Sequence, residues 1–187
     1  IEETQVLEEV IKASQMLAAR KIGALIAVER NANLNDFTDE GIKLDSVVSK
    51  EALFSVFLTE HQNPLHDGAV VIQKGRISAA GCFLPLTNNA HVEKTLGTRH
   101  RAAIGLTEDT DAVVVVVSEE RGLVSIAYKE ELYADLDANE MRDMLQGIFA
   151  ADADDVETGA MSIVERFRSR RDPATTGTHE RAPGGDS

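Results

Sequence analysis

The alternation of apolar and polar residues in the first third of the chain predicts two helices separated by a strand. In residues 2–20, apolar side chains recur with the spacing of one face of an amphipathic helix. Residues 22–28 form a short continuous apolar run, which is typical of a buried strand. The polar residues 31–36 predict a loop. Ser49 can then cap a helix over residues 50–59, whose apolar side chains share one face.

The rest of the chain predicts two β-hairpins. Lys74-Gly75 is a two-residue connection between the apolar segments 69–73 and 76–82, as in a tight hairpin. Residues 112–117 include five consecutive valines and predict the most buried strand. Residues 123–128 return beside it after a polar turn.

Further helices are predicted around these strands, over residues 99–106 with Thr98 as N-cap, residues 137–149 and residues 162–167. Strands interleaved with helices and hairpins predict an α/β fold, a single domain with a central mixed β-sheet flanked by helices. We expect this domain to cover residues 1–150. Residues 151–187 are expected to contain a short helix and a disordered tail rich in Pro, Gly, Ser and Thr.

The composition indicates which binding partners and which cell compartment suit the chain. The 187 residues carry a formal net charge of -13, which argues against nucleic acid or an anionic membrane as the main partner of the whole surface. Cys82 is the single cysteine, so the chain has no internal disulfide and fits a reducing cytosol.

The sequence contains no apolar run near the roughly 20 residues that span a bilayer. The chain starts at Ile1 rather than at methionine, so upstream membrane segments are compatible with it. We therefore expect a cytoplasmic domain that meets a membrane only through segments absent from this chain.

Candidate chemistry concentrates in three polar segments at predicted strand or helix ends, residues 64–69, 97–101 and 118–120. In the first, Asp67 precedes Gly68 at a strand start, where a carboxylate can face a cleft and a glycine lets a ligand approach the backbone. The alternative is an ordinary Asp-Gly turn. His66 is either a metal ligand or a loop histidine.

The second and third segments can bind anions and cations. Thr98, Arg99 and Arg101, with the free N–H groups of a helix start, form a plausible phosphate cradle, and the alternative is a pair of surface arginines bound to nearby acids. Ser118 could donate to a phosphate oxygen. Glu119 and Glu120 could hold a divalent cation, or could simply be solvated turn residues.

Two of these segments together resemble the motifs of a known family. Residues 64–69, Pro-Leu-His-Asp-Gly-Ala, and residues 97–103, Gly-Thr-Arg-His-Arg-Ala-Ala, resemble the DGA and RHR motifs of the diadenylate cyclase family. Supporting matches follow in the family's order at residues 23–26, 41–45, 81–86 and 117–120. The resemblance covers roughly residues 1–132. The histidine before Asp67 resembles the CdaA-type, membrane-anchored branch, in which transmembrane helices precede the catalytic domain.

The resemblance implies an enzyme that condenses two ATP molecules into cyclic di-AMP and releases two pyrophosphates, at the interface of a face-to-face homodimer. It implies that Asp67 is catalytic and that Mn²⁺ or Mg²⁺ is the cofactor, with His66 and Glu120 as ligands. It assigns the triphosphate to Thr98, Arg99, Arg101 and Ser118, with His100 beside them. It assigns the base and ribose to Leu84, Gly68 and Ala69.

Two other functions compete with this interpretation. One is a binding module that holds ATP or cyclic di-AMP without converting it, which the intact Asp67 and both arginines disfavour. The other is a polymerase-like nucleotidyltransferase using two metals on Asp109 and Asp111. That pair enters the valine strand at the end opposite Ser118, so we expect it to face away from the phosphate cradle.

Overall fold

The computed structural model of the chain describes residues 3–59, 62–89, 92, 96–150 and 165–167. Helices are interspersed with single strands and with two groups of consecutive strands. In chain order the elements are α1 (Glu3–Ala19), β1 (Ala24–Val28), α2 (Asn35–Thr38), β2 (Ile42–Val47), α3 (Lys50–Phe57), β3 (Ala69–Gln73), β4 (Arg76–Cys82), α4 (Thr98–Asp109), β5 (Val113–Val117), β6 (Val124–Tyr128), β7 (Glu131–Tyr133) and α5 (Ala138–Ala150). A turn of 3-10 helix, Pro64–His66, precedes β3.

The strands form one sheet in the order β2-β4-β3-β1-β5-β6-β7. β1 and β3 pair in parallel, and the other neighbours are antiparallel. The predicted α/β fold with a central mixed sheet is therefore confirmed. Among the described residues, no helix combines the length and apolar character that crossing a membrane requires.

Helices cover both faces of the sheet. Ala24, Ile26 and Val28 of β1 pack into a core with α1, α3 and α5, whereas Leu25 and Ala27 pack into a second core with α4. Because successive strand side chains point to opposite faces, a strand covered on both sides is apolar at every position. All five residues of β1, β5 and β6 are buried for this reason.

Most elements predicted from the sequence are present. α1, β1, both hairpins and α5 lie within about two residues of their predicted bounds. The Ser49 hydroxyl accepts a hydrogen bond from the Ala52 N–H at 3.1 Å, as its N-cap role requires. Lys74 and Gly75 both have positive φ, +50° and +72°, as a two-residue hairpin turn demands.

Four predictions need correction or lie outside the described chain. Residues 31–34 form the predicted loop, but its last two residues, 35 and 36, begin the short helix α2, and β7 was not predicted. The N-cap of α4 is Gly97 rather than Thr98, so no side chain caps this helix. Of the helix predicted at residues 162–167, only the last three residues are described, and the tail at 168–187 lies outside the described residues.

Asp111 braces the edge of the sheet where β5 begins. Its carboxylate accepts hydrogen bonds from the N–H groups of Ala32 at 2.8 Å and Asn31 at 3.2 Å, and lies 3.8 Å from Arg30. Burial raises the pKa of this carboxyl, but these hydrogen bonds and the Arg30 charge outweigh burial and leave its pKa below the ordinary value. Asp111 is thus occupied in holding the loop after β1, as expected of a residue facing away from the phosphate cradle.

We predict that Asp111→Asn destabilises the fold by about 1–2 kcal/mol at pH 7, because it weakens charge-assisted hydrogen bonds to the loop. A carboxylate whose pKa is lowered by folding stabilises the native state above its unfolded pKa of about 3.9 and loses that effect as pH falls through the lower folded value. Urea unfolding should therefore show the difference from wild type at pH 7 and a much smaller one near pH 3. An equal difference at both pH values would contradict this role for the charge.

Candidate active site

The sheet register brings the three candidate segments to one edge. β1 and β3 begin at this edge and β4 and β5 end at it, since Ala24 pairs with Val117 and Ala69 pairs with Cys82. The segments that enter β3 and leave β5 therefore lie on the same side of the molecule. The N-terminus of α4 reaches the same edge, because it shares a cavity with each of them.

Two adjoining cavities occupy this edge. The first, about 170 Å³, is lined by residues 96–100 and by the β5–β6 turn with Ser118 and Glu120. The second, about 430 Å³, is lined by Asp67, Gly68 and Leu84, among others. Thr98 and Arg99 line both cavities. Asp67, the start of α4 and the β5–β6 turn therefore lie along two neighbouring cavities that share Thr98 and Arg99.

Asp67 is exposed at the end of a braced turn. The Asn63 side chain accepts a hydrogen bond from the Leu65 N–H at 3.1 Å and donates to the carbonyls of Val56 at 3.0 Å and Leu58 at 2.9 Å. These bonds tie the 3-10 turn to the end of α3, so a turn that ends in an exposed carboxylate is held against the body of the domain.

Gly68 is required by both space and conformation. Its φ is +133°, which L side chains rarely adopt, and a Cβ would lie 2.7 Å from the Gly81 carbonyl carbon and 2.8 Å from the Cys82 oxygen. The Asp-Gly turn reading is therefore correct as geometry. It does not compete with a functional role, because the same turn presents Asp67 to the second cavity.

Arg99 lies between the two cavities with its side chain 31% exposed. Its Nη1 atom is 3.2 Å from Oε2 of Glu119, so the alternative of an arginine paired with a nearby acid is also met. On another side the guanidinium lies against Gly23, where a Cβ would be 2.6 Å from Cζ. An anion entering either cavity would meet this guanidinium and the uncapped N–H groups of α4.

The remaining nucleotide-binding candidates divide into two groups. His100 and Ser118 line the first cavity, and the Ser118 hydroxyl accepts a hydrogen bond from the Arg121 N–H at 3.2 Å. Ala69 is fully buried at the start of β3, so only its backbone could approach a ligand. Arg101 is not among the residues that line these two cavities; its carbonyl accepts a hydrogen bond from the Thr87 N–H at 3.1 Å.

The predicted metal ligands lie near different cavities. Glu120 lines the first, whereas His66 precedes Asp67 at the second. Within the described part of the chain, no three His, Cys, Asp or Glu side chains cluster closely enough to hold a metal ion. His66 Nδ1 contacts the Asn63 carbonyl oxygen, an arrangement that leaves Nε2 as the nitrogen suited to a metal.

Sequence reasoning missed several residues of this edge. Gly23, Glu119 as the partner of Arg99, and the second-cavity residues Leu25 and Cys82 were not singled out as site residues. Burial raises the pKa of the Cys82 thiol to about 11, so it lines the cavity as a neutral, weakly polar group. Gly23, Leu25 and Cys82 were marked in the sequence only by the supporting matches at residues 23–26 and 81–86, and Glu119 by the match at 117–120 and by its place in a glutamate pair.

Comparison with known proteins agrees with this geometry. Residues 11–132 match the profile of the family described as DAC, DisA bacterial checkpoint controller nucleotide-binding. The chain is similar to the cyclic di-AMP synthase CdaA of Bacillus subtilis, with 40% identity over 84% of this chain and 58% of that protein. It is also similar to a diadenylate cyclase of Listeria monocytogenes, with 40% identity over 77% of this chain and 52% of that protein. The chain thus spans a little over half the length of these relatives.

Solved structures give the same result. The crystal structure of a double mutant of DacA from Staphylococcus aureus superposes with a TM-score of 0.74 and 41% identity, over 79% of this chain and 97% of that one. A hypothetical membrane spanning protein from Bacillus cereus superposes with a TM-score of 0.65 and 46% identity, over 68% of this chain and 62% of that one. The chain belongs to the diadenylate cyclase (DAC) family.

Proposed function

We propose that this chain is the catalytic domain of a diadenylate cyclase, which condenses two ATP molecules into cyclic di-AMP and releases two pyrophosphates. The observation that carries the proposal is the meeting of Asp67 and Arg99 in one cavity, a carboxylate and a phosphate-binding cation at the start of an uncapped helix. Relatives named cyclic di-AMP synthase and diadenylate cyclase support it.

The reaction is a pair of phosphoryl-group substitutions. The ribose 3′-hydroxyl of one ATP attacks the α-phosphorus of the other, a new P–O bond forms, and the bond to pyrophosphate breaks on the opposite side. A second, reciprocal attack closes the ring. Each step transfers one hydroxyl proton and releases one pyrophosphate, so no oxidant or further reactant is needed.

Asp67 accepts or orients the proton of the attacking hydroxyl. Its exposure in the second cavity gives a ribose access to the carboxylate, and the hydrogen bonds of Asn63 hold the turn that presents it. A carboxylate is a weak base toward an alcohol, so alignment of the two reactants must supply much of the rate.

The start of α4 holds the triphosphate. Thr98 and Arg99 line both cavities beside the uncapped N–H groups of the helix, and phosphate oxygens would compete with Glu119 for the guanidinium. Ser118 and His100 complete the first cavity. Arg101 lines neither cavity, so it would contribute its positive charge to the triphosphate from outside them. Leu84 and Gly68, which line the second cavity, would contact the base and ribose, and Ala69 would take part only through its backbone.

The residues present fit a divalent metal that nucleotide oxygens help to bind. His66 Nε2 and the Glu120 carboxylate lie near different cavities, so each would supply one ligand to an ion whose other positions phosphate oxygens and water would fill. Bound Mn²⁺ or Mg²⁺ would neutralise phosphate charge, and an imidazole ligand favours Mn²⁺.

A two-fold symmetric product requires two copies of the site facing each other. One protomer provides one set of site residues, so each ribose must reach the nucleotide held by a partner. Phe83 and Leu86 are 70% and 43% exposed beside the second cavity and offer apolar contact area for a second copy.

We also propose that the domain is cytoplasmic and belongs to a membrane-anchored protein, in keeping with the neighbour named as membrane spanning.

We predict that Asp67→Asn retains ATP binding within about threefold but lowers cyclic di-AMP formation by at least about 100-fold, since it keeps the shape of the turn and removes the charged acceptor. Calorimetric titration with ATP and mass spectrometry of products measure the two quantities. The matched control is Asp36→Asn on α2, an exposed carboxylate that lines neither cavity. Unchanged turnover in Asp67→Asn would remove this residue from the mechanism.

A further inference from the structure

We propose that Gly23 is the positioning residue for Arg99, because only a residue without a side chain leaves room for the guanidinium between the two cavities. The inference rests on the proposed function, since it concerns how the site holds the triphosphate of ATP.

The contact between Gly23 and Arg99 is direct. A Cβ built on Gly23 would lie 2.6 Å from both Cζ and Nη1 of Arg99 and 3.1 Å from Nε. Distances below about 3 Å are inside van der Waals contact, so a methyl group and the guanidinium cannot both occupy this space. The guanidinium of Arg99 therefore packs directly against the Gly23 backbone.

Backbone conformation does not explain this glycine. Among the described residues, Gly68, Gly75, Gly81 and Gly122 are the glycines with positive φ, and Gly23 is not one of them. Alanine could adopt the conformation of Gly23 without strain. The requirement at position 23 is thus for space above the backbone.

The Gly23 backbone is held in place because it directly follows the hydrogen-bonded C-terminal turn of α1. The Ile22 N–H donates to the Leu17 carbonyl at 2.9 Å and the Lys21 N–H donates to the Ala18 carbonyl at 3.0 Å, with Lys21 at φ +54°. This is the Schellman arrangement of a helix C-terminus. The turn cannot easily retreat from an added methyl group, so Arg99 must move instead.

The acidic partner of Arg99, Glu119, is anchored to the same helix end. Glu119 belongs to the turn closed by the Gly122 N–H, which donates to the Ser118 carbonyl at 2.9 Å. A Cβ on Gly122 would lie 2.9 Å from the Ala18 oxygen, so this turn sits directly on the end of α1. Both supports of the guanidinium are therefore fixed relative to α1.

The test is a double-mutant cycle on ATP binding. Gly23→Ala should weaken ATP binding by about tenfold, the effect of losing one charge-assisted hydrogen bond. Adenosine, which has no phosphate, should bind within about twofold of wild type. In the Arg99→Ala background the added methyl meets no guanidinium, so Gly23→Ala should cause no further loss.

Gly147→Ala is the matched control, the same substitution within helix α5 on the other face of the sheet, and it should bind ATP as wild type does.

Three results would each overturn the role of Gly23. Gly23→Ala could bind ATP as tightly as wild type, it could lose adenosine binding as much as ATP binding, or it could have its full effect in the Arg99→Ala background as well. Should Gly23→Ala fail to fold while the double variant folds, the collision with Arg99 is still demonstrated; failure of both overturns it. A folded wild-type chain that binds no ATP would instead contradict the proposed function.

Discussion

Burial of the sheet on both faces is the constraint on which the rest of the structure depends. β1, β5 and β6 have no exposed position, and their side chains are apolar except for Ser125 and Tyr128, because a polar side chain buried without a partner is costly. Polar groups that bind ligands must lie where strands begin and end. The register then decides which ends meet, and it gathers Asp67, the start of α4 and Ser118 at one edge while Asp111 braces the other.

Arg99 carries a concentrated positive charge on a strongly acidic chain. The formal net charge of -13 opposes the approach of an anionic nucleotide and of a second copy, most of all at low salt. A guanidinium held between the Gly23 backbone and Glu119 is already oriented before ligand arrives, which reduces the entropy lost on binding. In the absence of ligand, the Glu119 carboxylate partly neutralises the guanidinium. A phosphate oxygen can replace this carboxylate, because both side chains of the pair are partly exposed.

The pattern of apolar residues predicted the regular elements, because burial follows the helical spacing in α1 and includes every position of the valine strand β5. It missed β7, whose three residues are too few to show a period, and α2, whose four residues end a polar segment. Asp67, Thr98 and Arg99 were singled out as polar residues at predicted strand and helix ends, and the resemblance to family motifs supplied their roles. Their spatial relation could not be derived from the sequence, since residues far apart in sequence meet through sheet register. Gly23 was missed as a site residue for the same reason: its constraint comes from Arg99, and nothing local requires a glycine there.

The decisive experiment is incubation of the purified chain with ATP and either Mn²⁺ or Mg²⁺ over a range of protein concentrations, with products identified by mass spectrometry. We expect cyclic di-AMP and pyrophosphate, formed at a rate that rises more steeply than linearly with protein because two copies must meet. ATP that binds but stays unconverted at every concentration and with either metal would contradict a cyclase and identify the domain as a nucleotide-binding module.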